Sequence, residues 1–152
     1  MEGGLKTQLA ADLKAAMLAR DAFLSDTLKG LKAAILNEEI AKNKREEGLS
    51  NDEIEVLFAR EAKKRNEAAE LYDQGGNSEM AEKERKEKTI IERYLPEQLS
   101  EDELQKLVEQ AISDTNANSM QDMGKVIGAV KAKAGNSADG SLIAKLVKNA
   151  LQ

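Results

Sequence analysis

The residues of this chain best suited to chemistry lie near its C-terminus. In the stretch "DMGKVIGAVKAKAG", residues 122–135, Gly124 and Gly128 stand four apart inside an apolar pattern of helical period, with Lys125 and Lys131 close by. A glycine inside a helix costs roughly 0.5–1 kcal/mol relative to alanine, so two of them call for a compensating use. At about 100° per residue, Met123, Val126, Ile127 and Val130 point one way. Gly124 and Gly128 fall together on an adjacent strip, with Lys131 along one border and Lys125 on the other flank. A strip without side chains lets another surface approach the helix backbone. That surface is either a neighbouring helix of the same chain or an outside partner, and both readings stand.

In the segment after it, Ser141, Lys145 and Lys148 share the face opposite the apolar stripe. Between residues 116 and 152, five lysines (125, 131, 133, 145 and 148) face two acids, Asp122 and Asp139, a local balance of 5 − 2 = +3 in a chain whose net charge is −5. Lysines in such a cluster suit phosphate, contacted without regard to base sequence and with strong salt dependence. No aromatic residue follows Tyr94, so base stacking is not expected there. The opposing reading is an ordinary solvated lysine face.

Much else is excluded by composition. The 152 residues contain no cysteine and no histidine, which removes thiolate nucleophiles, sulfur-ligated zinc and the commonest general base and metal ligand. No GxxxxGK[ST] loop occurs. Stand-alone catalysis, a cofactor and a metal site are therefore not expected. The mixed-sign tracts "NEEIAKNKREE" and "EKERKEKTIIE" read as solvated helix faces rather than acid/base or metal sites. No apolar run approaches the roughly 18 residues needed to span a bilayer, and no apolar signal core follows the N-terminus. The expectation is a soluble, cytoplasmic protein.

With 41% hydrophobic, 34% charged and 3% aromatic residues and one proline, the chain should be all-α. Four helices are expected in an N-terminal region, residues 1–95. The first spans about 5–19 on Leu5, Leu9, Leu13 and Met17. The second is capped by Asp21 and runs to Gly48 on Leu24, Leu28, Leu31 and Ile35. The third starts at a capping box of Ser50 and Glu53, and the fourth spans about 78–95, anchored by Ile90, Ile91, Tyr94 and Leu95. The thin apolar stripes of the third and fourth point to a long hairpin, with Tyr72 and Tyr94 as core anchors. Pro96 then breaks the chain. A smaller three-helix bundle is expected over residues 96–152, opening at a second capping box, Ser100 and Glu103, with Leu104, Leu107, Val108, Ala111 and Ile112 as its stripe.

Three stretches, "LKGLKAAILNEEI", "QGGNSEMAEKERKEKTIIERYLPEQLSEDEL" and "DMGKVIGAVKAKAGNSADGSLIAKLVKNAL", together resemble the YqeY-like family. The C-terminal half of that family is related to the tail domain of GatB, the B subunit of the tRNA-dependent amidotransferase. The likeness covers essentially the whole chain, its specific parts being "YLPEQLS" and "MGKVIG…ADGSLIAKLVK". It implies a tail that helps hold tRNA, with Gly124, Lys125 and Gly128 of the first motif and Gly140, Ser141, Lys145 and Lys148 of the last segment as candidate contacts. Where the family favours arginines, this chain has Lys29 in its second helix and Asn77 after its diglycine turn. The enzyme's catalytic cradle and its amidase have no counterpart here.

These observations support a non-catalytic accessory protein that binds tRNA, or a tRNA-handling complex, through its last two helices. Two alternatives stand beside it. One is a helical module for protein–protein contact, and the other a component of a tRNA-dependent amidotransferase, a carbon–nitrogen ligase with glutamine as amido donor.

Overall fold

A computed structural model describes residues 4–152, and every described regular element is helical. In chain order these are α1 (Leu5–Leu18), α2 (Ala22–Ala41), α3 (Asn51–Gln74), α4 (Ser78–Glu92), α5 (Glu101–Thr115), α6 (Met123–Ala134) and α7 (Gly140–Leu151). Short 3₁₀ turns, Met120–Asp122 and Gly135–Ser137, flank α6. Among the described residues no helix is long and apolar enough to cross a membrane. Two compact units emerge, Met1–Leu95 and Pro96–Gln152.

Local chemistry accounts for most helix starts. Ser50 and Ser100 each accept from the backbone N–H three residues on, while Glu53 and Glu103 accept from the serine N–H in return, at 3.1–3.2 Å. Both capping boxes thus satisfy N–H groups that a helix start leaves open. Asp21 caps α2 by accepting from Leu24 N–H at 3.1 Å, and Asn77 caps α4 through Met80 N–H at 3.2 Å.

The ends of α1, α2, α3 and α5 follow one rule. Arg20, Asn43, Gly76 and Asn116 have φ of 58°, 55°, 77° and 54°, and the next residue's N–H reaches back five positions: Asp21 to Ala16, Lys44 to Glu39, Asn77 to Tyr72 and Ala117 to Ile112. This left-handed closure occupies the last carbonyls. It corrects the expected end of the second helix, since Asn43 turns the chain and α2 stops at Ala41, seven residues before Gly48. The fourth helix likewise ends at Glu92, with residues 93–95 in one more turn that closes onto Ile90, Ile91 and Glu92 carbonyls.

In the N-terminal unit the core gathers Leu9, Leu13, Leu28, Leu31, Ile35 and Ile54 with Phe58, Ile91 and Tyr94. Tyr94 meets Phe58 edge to face, centroids 5.7 Å apart at 78°, and donates its hydroxyl to Asp12 Oδ2 at 2.5 Å. Burial first, then that carboxylate, pushes the Tyr94 phenol well above its ordinary range. Tyr72 is half-buried and stands outside this core. Along the α3–α4 hairpin, Ala69 and Ala81 are both fully buried. The charged first half of α4 therefore does bury a residue, because an alanine lets two helix backbones approach closely enough to enclose it.

Glu39 on α2 is 3% exposed. It accepts from Lys6 Nζ at 2.8 Å and from Leu49 N–H at 3.3 Å, which ties α1, α2 and the loop before α3 together. The Lys6 bond is the largest influence holding its carboxyl below the usual range, against the opposing effect of burial. In the C-terminal unit the core is Leu104, Val108, Ala111, Val126, Val130 and Ile143 with Leu146 and Val147. Each of α5, α6 and α7 contributes a stripe to it, and Leu99 N–H donates to Ser137 O at 2.8 Å to fasten the entering chain.

Candidate functional site

The apolar stripe decides which way α6 faces. Val126 and Val130 are buried in the core shared with α5 and α7, and Ala134 is buried one turn on, which turns Gly124 and Gly128 outward. A methyl group built on either glycine would meet nothing within 4 Å apart from immediate neighbours and the helix's own backbone. The strip is therefore bare backbone facing outward, and of the two readings open at the sequence level, packing against a helix of the same unit is excluded.

Lys125 and Lys131, on either side of the strip, are exposed. Lys131 reaches from α6 to the first turn of α7, where a methyl on Gly140 would lie 3.5 Å from its Cε and 3.6 Å from its Nζ. The glycine strip of α6 and the start of α7 are thus joined by one lysine side chain. On α7, Ile143, Leu146 and Val147 are buried while Ser141, Lys145 and Lys148 are exposed on the opposite side. Asp139 caps this helix, accepting from Ser141 N–H at 3.2 Å. Its carboxylate is thereby engaged at the helix start.

Among the described residues Lys125, Lys131, Lys145 and Lys148 take part in no ion pair. Lys133 differs: it pairs with Asp114 of α5 at 3.6 Å on an exposed flank. Its charge is partly answered within the chain, and nothing in the residue spacing signals that, because Asp114 belongs to another helix. Four ammonium groups, bare backbone and the start of α7 together suit a polyanion approached through its backbone. Among the described residues, no cluster of three or more carboxylates is placed to hold a metal ion.

A family model described as Yqey-like protein matches residues 6–151, nearly the full length. No curated protein matches the chain.

Proposed function

The chain belongs to the Yqey-like protein family, and from that premise we propose that its C-terminal unit is a non-catalytic surface for RNA, tRNA being the class expected. The observation that carries this reading is the open strip of Gly124 and Gly128 between Lys125 and Lys131, continued on α7 by Lys145 and Lys148. Ammonium groups left without carboxylate partners in an acidic protein are free to replace the counterions of a phosphate backbone. Bare glycine backbone lets a sugar–phosphate chain come closer than side chains would permit. With no aromatic side chain beyond Tyr94, shape and backbone are what such a surface reads. The resemblance of this unit to the amidotransferase B-subunit tail supports tRNA as the class of RNA. The absence of cysteine and histidine throughout supports a role in holding rather than reacting.

Binding of deacylated tRNA measured over a salt series tests the proposal. The wild-type chain should show a log–log slope of at least about −3, and Lys125→Glu with Lys145→Glu should reduce its magnitude by about two, one for each ammonium group removed from the phosphate backbone. Affinity unchanged by that pair of substitutions overturns the reading. A partner that stays bound after nuclease treatment, and whose binding needs the bare glycines, would instead assign the strip to protein contact.

A further inference from the structure

A second surface lies in the other unit and does not rest on the RNA reading. The α1–α2 hairpin carries an open trough of about 700 Å³ along its outer side. Leu9, Leu13 and Ile35 form its buried floor, while Met17 and Leu36, 54% and 40% exposed, stand on its walls. Leu18 and Ile40, near the two ends of the hairpin, are also exposed. Lys6, Lys29, Lys32 and Arg45 line it against a single carboxylate, Glu39, which Lys6 already engages at 2.8 Å. Among the described residues Lys29, Lys32 and Arg45 have no ion pair.

We infer that this trough is the docking site of an acidic amphipathic helix from a partner protein. From Lys6 to Met17 the α1 wall is twelve residues, eleven steps of 1.5 Å or about 16 Å, which matches three turns of helix. An aliphatic floor receives the apolar stripe of such a helix, and cations on the rim receive its carboxylates. The lysines and the arginine are spread from the Glu39 end, with Lys6 and Arg45, to the Met17 end, with Lys29. One fatty carboxylate would meet only one of those ends. Two copies of the chain placed trough to trough would set cation against cation, since a two-fold interface repeats the same patch on both sides. The lining holds no aromatic residue on which a nucleotide base could stack.

The test is fluorescence anisotropy of the full chain with a stapled helical peptide of about twelve residues, leucine at i, i+3, i+4 and i+7 and glutamate elsewhere. Its counterpart with lysine for every glutamate is the control. The acidic peptide should bind at least about tenfold more tightly than the basic one. Lys29→Glu with Lys32→Glu should abolish that preference, and Leu36→Asp should weaken the acidic peptide by a similar factor. All three changes are at exposed positions, and circular dichroism verifies that the helices persist. Lys125→Glu with Lys145→Glu should leave peptide binding unchanged, which separates this proposal from the RNA reading. Equal binding of both peptides, or indifference to the Lys29 and Lys32 reversal, overturns it. So does a wild-type dimer in sedimentation that Leu36→Asp splits, because the occupant is then a second copy.

Discussion

The two units handle charge in opposite ways. In the N-terminal unit cations and carboxylates answer one another between elements: Lys6 with Glu39, Arg60 with Glu38, Lys44 of the α2–α3 loop with Glu53, Arg65 with Glu87, and Arg85 with Asp73. In the C-terminal unit, among the described residues, the lysines of α6 and α7 take part in no ion pair, apart from Lys133 at Asp114. A charge matched within the chain fixes how helices meet, although an exposed pair is worth only about 0–1 kcal/mol. An unmatched cluster does nothing for the fold and raises the local concentration of an anionic visitor. The trough of the α1–α2 hairpin is the exception within the first unit, since Lys29, Lys32 and Arg45 on its rim, unlike Lys6, have no ion pair among the described residues.

The largest effect should appear when the same kind of charge reversal is made in both units. Lys125→Glu with Lys145→Glu should weaken tRNA binding by about a hundredfold, some 2.7 kcal/mol. Arg60→Glu with Lys44→Glu should leave that affinity within about twofold while lowering the urea midpoint. If both pairs weaken binding alike, the contrast between the units disappears.

Glu39→Gln comes next, because it removes a charged acceptor from Lys6 and Leu49 N–H in a buried position. A cost of about 1.5–3 kcal/mol in chemical denaturation is expected. The sign with pH follows from the lowered carboxyl: the stabilisation is complete above the ordinary glutamate range and is lost as pH falls through the folded-state value. Glu53 acts in the same sense. Its bond from Lys44, then the Ser50 N–H, brings it from 4.5 to about 2, so its contribution fades between those limits. Acid denaturation of Glu39→Gln should therefore begin from a lower plateau and fall less steeply than wild type below about pH 4.5.

Tyr94→Phe should cost about 1–2 kcal/mol, since it deletes the bond to Asp12 and keeps the ring against Phe58. The smallest effect has the opposite sign. Gly124→Ala and Gly128→Ala should each stabilise the C-terminal unit by roughly 0.5–1 kcal/mol, because nothing nearby obstructs a methyl group. The same double variant should bind tRNA more weakly. A gain in stability with unchanged affinity would leave the bare strip without a visitor and sharpen the view that the lysines alone matter.

Much of this architecture could be read directly because its causes lie within a turn or two of chain. The boxes of Ser50 with Glu53 and Ser100 with Glu103 need only three-residue spacing, and the stripe of Leu104, Val108 and Ala111 needs only helical period. Where sequence reading went astray, a local competitor or a distant partner was responsible. Asn43 ended α2 early because its left-handed conformation closes the helix just as a glycine would. Burial of Ala81 and Glu39 depends on α3 in one case and on Lys6, thirty-three residues away, in the other. The open trough was equally invisible, since its walls belong to two helices.

The sequence by itself determined that this chain is helical, where most of its helices begin, and which faces are apolar, because capping and periodicity act over a few residues and need no knowledge of the neighbours. Tertiary structure alone decided that Gly124 and Gly128 face outward, that Lys131 lies against Gly140 and Lys133 against Asp114, and that four cations border an apolar trough. Those outcomes turn on which helix stands beside which, and exposure at a given residue is a property of the packed unit.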